Sequence, residues 1–157
     1  MVSAEQARSV GVTLPGKEEV LRQADVVTLH AAPAGNAGTM RPLIGARELA
    51  LLKPGAFLVN CARGGLIDEA ALLEALERGQ LAGVALDVFS QEPIGDDAVL
   101  QRLLSHERVL ATPHLGASTS EAQARVAVEV ARQVISALRG DTLIGAPLPP
   151  SPLTRPA

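Results

Sequence analysis

Aromatic side chains are almost missing from this sequence: Phe57 and Phe89 stand alone, with no tryptophan and no tyrosine. Any interior must therefore be filled by layers of Leu, Val, Ile and Ala, which suits helices packed on a parallel sheet. A single cysteine, Cys61, excludes an internal disulfide, and without a CxxC partner it has no metal or redox pairing. On that ground the chain reads as intracellular and cytoplasmic, with Cys61 as a small buried hydrophobe. No stretch approaches the roughly 18 uninterrupted apolar residues of a membrane span, and the opening MVSAEQARSV lacks the apolar core of a signal peptide. Basic runs are lacking too. The net charge of −3 is made of interspersed signs, which leaves no electrostatic footprint for nucleic acid or for an anionic membrane.

What is present is aliphatic: 157 residues at 47% apolar content can bury one core, so a single globular domain is expected. Short β-rich runs alternate with amphipathic helical runs from about residue 11 to residue 139, the pattern of βαβ units around a parallel α/β sheet. The expected strands are Gly11–Leu14, Asp25–His30, Ala56–Asn60, Leu81–Val88 and Arg108–Ala111. Runs such as VVTL and AGVAL have no polar alternation, which predicts strands covered on both faces.

Helix ends are better marked than strands. Asp68 is placed to cap a helix over Glu69–Arg78 that Gly79 closes. A last, longest helix opens with Ser118 and Glu121 in capping-box spacing and runs to Leu138 before Gly140, with Val126, Val130, Val134 and Leu138 on one stripe. Residues 147–157 hold five of the eleven prolines, so an extended or disordered tail is expected over 141–157, after a domain at 1–140.

Three polar clusters follow expected strands: NCARGG at 60–65, DVFSQEP at 87–93 and TPHLGAST at 112–119. In open α/β sheets the carboxyl ends of strands are where ligands bind. Each cluster offers one useful group, Arg63, Glu92 or His114. An arginine can hold a carboxylate bidentately, and a histidine beside a carboxylate can move a proton near neutral pH. Each has a plainer reading as well. An arginine before Gly-Gly can cap a turn, and Glu92 before Pro93 can be an ordinary loop acid. His114 is the stronger candidate, since it lies in a Gly- and Thr-containing loop feeding a helix. His106, beside Glu107, reads as a solvated surface residue, and His30 as a structural strand end or a cofactor edge.

The segments NCARGGLIDEAALLEAL, ALDVFSQEP and TPHLGASTSEAQ each resemble motifs of the D-2-hydroxyacid dehydrogenases. The likeness runs from about residue 10 to residue 140, and PHLGAST with NCARGG is more similar to the phosphoglycerate dehydrogenase branch than to the lactate or formate enzymes. Arg63 and Glu92 lie 29 residues apart, and Glu92 and His114 lie 22 apart, within the family's range. The resemblance implies a partial, doubly wound, Rossmann-like parallel sheet with flanking helices, and NAD-dependent oxidation of a D-2-hydroxy acid by hydride transfer.

By that resemblance Arg63 fixes the substrate carboxylate and polarises the keto oxygen, His114 is the general acid/base, and Glu92 orients the imidazole so that the pair titrates together. Asp87 matches the acid beside the nicotinamide, and its plainer reading is a strand-end acid bonding a nearby backbone N–H. Ala31, Cys61, Ala62, Leu115, Gly116 and Ala117, with Arg63 and His114, are implied to line the nicotinamide and its ribose through backbone atoms and small side chains.

Other family parts have no counterpart. No G-x-G-x-x-G follows a strand, so the loop that cradles a pyrophosphate is not represented, nor is a substrate-binding domain. The isolated chain is therefore expected to bind NAD weakly, to be inactive alone, and to form a homo-oligomer or need the missing half. Its strand at Asp25–His30 is expected to leave an open apolar edge, which makes the chain marginally stable or self-associating. HAAPAGNAGTMRPLIG at 30–45 is a few residues longer than the family pattern, which puts its proline and threonine out of register. The alternative to an enzyme segment is a non-catalytic interaction or dimerisation module derived from this fold.

Overall fold

A computed structural model describes residues 4–32 and 41–141, so the long loop's centre and the proline-rich tail lie outside the described residues. The chain divides into two compact units, Met1–Gly116 and Ala117–Ala157. The first unit contains α1 (Ala4–Ser9), α2 (Lys17–Gln23), β1 (Val26–Leu29), α3 (Ala46–Leu51), β2 (Ala56–Asn60), α4 (Glu69–Glu77), β3 (Leu81–Leu86), α5 (Ala98–Ser105) and β4 (Val109–Ala111). The second contains α6 (Ser120–Arg139).

The four strands form one sheet in the order β1-β2-β3-β4, all parallel. Their register aligns Leu29, Asn60, Leu86 and Ala111 across the sheet, so every strand ends on one rim. Parallel strands joined by right-handed crossovers in unbroken order place successive helices on the same face. That face is the core, where Leu49 of α3, Leu72 and Leu76 of α4, and Leu100 and Leu103 of α5 are buried against Leu58, Leu81 and Leu86. Helix α4 begins as expected: the Asp68 carboxylate accepts from the Ala71 N–H at 3.0 Å. It ends at Gly79, whose φ of +70° suits a residue without a side chain.

Three expectations are corrected. Gly11–Leu14 is not a strand: no described strand pairs with it, Gly11 turns the chain at φ +73°, and Val12 and Leu14 are exposed. Four residues without a neighbour to take their hydrogen bonds do not hold a β conformation by themselves. Coverage of both sheet faces is not met within the first unit, because Val26, Phe57 and Leu110 point away from the helices and are 57%, 49% and 68% exposed. The cap of α6 is Thr119, whose hydroxyl accepts from Ala122 N–H at 3.2 Å, one residue later than Ser118. The helix closes at Gly140 as expected, and none of its residues is buried, including the stripe Val126, Val130, Val134 and Leu138.

The edge of β1 and the bare face together carry a solution prediction. Contiguous exposed apolar surface beside an unpaired strand edge drives association. Sedimentation of the chain is expected to show concentration-dependent self-association, and Phe57→Glu with Leu110→Glu is expected to shift it toward monomer. A wild-type chain that stays monomeric at high concentration contradicts this.

Candidate active site

Because the strands end in register, the segments after them emerge along one rim: His30 and Ala31 after β1, Cys61–Arg63 after β2, Asp87–Glu92 after β3, and Thr112–His114 after β4. Two of these segments are shaped by a polar side chain that bonds their backbone. Asn60, nearly fully buried at the end of β2, accepts from Ala62 N–H at 3.1 Å and donates to the Arg63 carbonyl at 3.0 Å, which folds the NCAR turn over it. Sequence reasoning misses this residue. Its signal in the sequence is an Asn at a strand end, a residue type that bonds its own backbone two or three positions on.

Asp87 does the same for the histidine loop. Its carboxylate accepts from the Thr112 hydroxyl, from Leu115 N–H at 2.8 Å and from Gly116 N–H at 3.2 Å. The Thr112 hydroxyl and those two amides hold its carboxyl below the ordinary carboxylate range, against the opposing effect of burial. The bonds on display are those of the plainer reading, a strand-end acid gripping backbone. They bend the loop so that His114 sits at φ +50°, a left-handed conformation sparsely populated by residues other than glycine. A second tie is His114 N–H to the Thr112 carbonyl at 3.0 Å.

The resulting contact is between His114 Nδ1 and Glu92 Oε2, at 2.6 Å, with both side chains partly exposed. The other Glu92 oxygen accepts from Phe89 N–H at 2.9 Å. The imidazole first, then that amide, hold the Glu92 carboxyl below its ordinary range, while burial and the neighbouring Asp87 act the other way. An ionised carboxylate only accepts, so the Nδ1 hydrogen lies in this bond and Nε2 is left for other chemistry. The pair walls a hollow of about 260 Å³ with Phe89, Pro93, Ile94 and Pro113.

Arg63 lies at a second hollow, of about 330 Å³, walled by His30, Ala31, Ala32, Cys61 and Ala62. Its guanidinium bonds the Ala62 carbonyl at 2.6 Å, and it makes no hydrogen bond or ion pair with Glu92 or His114 among the described residues. The two loops do meet next to it: Gly64 lies so close to Phe89 that a Cβ there would come within 1.8 Å of the Phe89 carbonyl oxygen. Cys61 is exposed, which corrects its reading as a buried hydrophobe: it stands at the mouth of the rim, in the position of a wall residue. His30 Nε2 is 3.0 Å from the Thr28 hydroxyl. His106 lies partly exposed at the C-terminal end of α5 and accepts from Arg108 N–H through Nδ1 at 3.1 Å. Ala117 belongs to the second unit, where its carbonyl accepts from Gln123 at 2.9 Å. Among the described residues no helix is long and apolar enough to cross a membrane, and no group of three or more His, Cys, Asp or Glu could hold a metal ion.

The depressed titration of Asp87 predicts the pH response of the fold. A carboxyl whose folded value lies below its unfolded value of ~3.9 contributes stability that is fully present above that value and is lost as pH falls through the folded one. Asp87→Asn is expected to be less stable than wild type at pH 7, and the gap should narrow steadily below about pH 4. Urea unfolding at a series of pH values measures it, and a gap independent of pH contradicts the role.

Comparison with known proteins shows the family of the chain. Residues 2–116 match the family described as D-isomer specific 2-hydroxyacid dehydrogenase, NAD binding domain. The chain is 47% identical over 139 residues to D-3-phosphoglycerate dehydrogenase of Bacillus subtilis (strain 168), covering 88% of this chain and 25% of that protein. It is 44% identical over 145 residues to the human D-3-phosphoglycerate dehydrogenase, with 92% and 26% covered. Among solved structures it resembles a glyoxylate reductase from Paecilomyes thermophila, at TM-score 0.73 and 38% identity over 94% of this chain and 42% of that one. It also resembles the D-lactate dehydrogenase of Aquifex aeolicus complexed with NAD and lactic acid, at TM-score 0.71 and 27% identity, over 90% and 45%. The chain thus spans about a quarter of the curated relatives' length and under half of the solved chains.

Proposed function

Since the chain belongs to the D-isomer specific 2-hydroxyacid dehydrogenases through their NAD-binding domain, we propose that it carries the acid–base centre of an NAD-dependent oxidoreductase. The substrate is a D-2-hydroxy acid of the 3-phosphoglycerate kind, the class named for the curated relatives. The observation that carries this reading is the 2.6 Å contact between His114 and Glu92 on the rim where ligands of parallel sheets bind.

In this reading His114 Nε2 takes the hydroxyl proton of the substrate during oxidation and returns it to the keto oxygen during reduction. Glu92 keeps the ring oriented through Nδ1 and stabilises the imidazolium when it forms. Arg63 turns from the Ala62 carbonyl to the substrate carboxylate, which its planar fork holds by two parallel bonds. NAD, when bound, supplies the hydride acceptor. The residues present suit its nicotinamide and ribose: Ala31, Ala32, Cys61 and Ala62 are too short to fill the hollow they wall. Gly116 leaves open space where a side chain would stand, at φ +41°. Leu115 is exposed beside it, and Asp87 aims the Leu115 and Gly116 amides.

The test is a chimera in which residues 2–116 replace the matching segment of the Bacillus subtilis relative. The chimera is expected to reduce NAD in the presence of D-3-phosphoglycerate. A folded chimera with no turnover on any D-2-hydroxy acid overturns the reading.

A further inference from the structure

The Glu92 carboxylate reaches two partners at once, Phe89 N–H and His114 Nδ1, so its position depends on how the peptides at 88–90 are turned. The peptide joining Phe89 to Ser90 is held at both of its polar ends. Its carbonyl lies against the Cα of Gly64, with no room for even a methyl group between them. Its N–H is taken by Glu69, whose Oε1 accepts from Ser90 N–H at 2.8 Å while Oε2 accepts from the Ser90 hydroxyl. Glu69 is the first residue of α4, and it does nothing for the helix cap, because Asp68 already holds the Ala71 amide. It reaches across 21 residues of sequence to a loop with no regular structure. Its own base is firm, since α4 buries Leu72 and Leu76 in the core.

We infer that Glu69 is a positioning residue for the acid–base pair: by gripping Ser90 it sets the loop from Phe89 to Glu92 and so the reach of Glu92 to His114. The inference rests on the function proposed above, but its readout does not need turnover. A bond that merely stabilised the fold would leave the local environment of the Glu92 carboxylate unchanged in any variant that still folds. A bond that aims Glu92 would not. The charged groups facing Glu92 are His114 from the loop after β4 and, with opposite sign, Asp87 at the end of β3. Of these, the His114 bond is the larger influence.

The experiment uses the full chain with carbon-13-labelled glutamate and nitrogen-15-labelled histidine, followed by NMR across pH. Glu92→Gln assigns the carboxyl signal and the downfield ring-proton signal of His114. In wild type, Glu92 is expected to titrate below the ordinary range of a glutamate carboxyl. In Glu69→Ala its titration moves up toward that range, and the His114 ring proton shifts upfield or broadens away. Glu69→Gln, which still offers one oxygen to Ser90 N–H, gives a smaller change, and Ser90→Ala, which keeps the backbone bond, changes it in the same direction. Glu74→Gln, on the same helix and paired with Arg78, leaves both signals in place. Should Glu69→Ala fail to fold, the Gln and Ser90→Ala variants carry the same comparison. Folded Glu69 and Ser90 variants with wild-type Glu92 titration overturn the positioning role and leave the proposed function standing. A wild-type Glu92 that titrates in the ordinary range of a glutamate carboxyl, with no His114 signal tied to it, overturns both.

Discussion

Replacing His114 by glutamine in the chimera is expected to lower kcat by roughly 10²–10⁴-fold, the range that a positioned general acid or base contributes. The side chain of glutamine can occupy the site and still bond Glu92, but it has no group that takes up a proton near neutral pH. The loss should therefore fall on kcat and kcat/KM alike, with NAD affinity changed little, since the proton is in flight only in the transition state. The companion change separates the second role. Arg63→Lys keeps the positive charge but removes the planar fork, so it should raise the KM for the hydroxy acid more than it lowers kcat. Steady-state kinetics in both directions decides these assignments. Wild-type turnover and substrate affinity in both variants would show that the rim residues do not do this chemistry.

Leu58→Ala is expected to destabilise the first unit by about 2–5 kcal/mol, the cost of removing a buried leucine from a core that only partly collapses around the gap. Leu58 has no exposed surface and sits mid-strand in β2, facing α3, α4 and α5. Phe57, one residue earlier and the larger side chain, lies on the bare face and is half exposed. Phe57→Ala should cost less, about 1–1.5 kcal/mol, because only half of its surface is withdrawn from water. Urea denaturation of the two variants measures the contrast directly. Equal losses would mean that the sheet is covered on both faces in solution, which the first unit by itself does not show.

The parts of the fold legible in the sequence were those whose cause lies within a few residues. Asp68 and Gly79 bracket α4 because a carboxylate caps an amide three residues on and a glycine accepts a left-handed turn. The strands β1 to β4 were legible from short runs of aliphatic residues between helices. The same local reasoning overreached at Gly11–Leu14, where an apolar run without a neighbouring strand stays out of the sheet. It also missed Thr119 by preferring the capping-box spacing of Ser118.

At the site the balance is similar. Arg63, Glu92 and His114 were picked out by residue type, by position after strands and by likeness to a family. Glu69 and Asn60 were passed over, because an acid one residue into a helix and an amide before a cysteine look ordinary until their distant or folded-back partners are known. For Asp87, likeness to a family implies a place beside the nicotinamide, while the bonds to the loop that carries His114 depend on a partner 28 residues away and are not legible in the sequence.

By itself the sequence determined the kinds of element, their order, several of their ends and the chemical groups placed after each strand, since these follow from propensity, capping and periodicity over short windows. Tertiary structure alone decided that four strand ends share one rim, that a carboxylate and an imidazole 22 residues apart touch, and that the helices of the first unit pack on one face of its sheet and not the other. Register between distant segments is chosen by the sum of many weak packing and hydrogen-bond terms, and no local stretch of residues contains that sum.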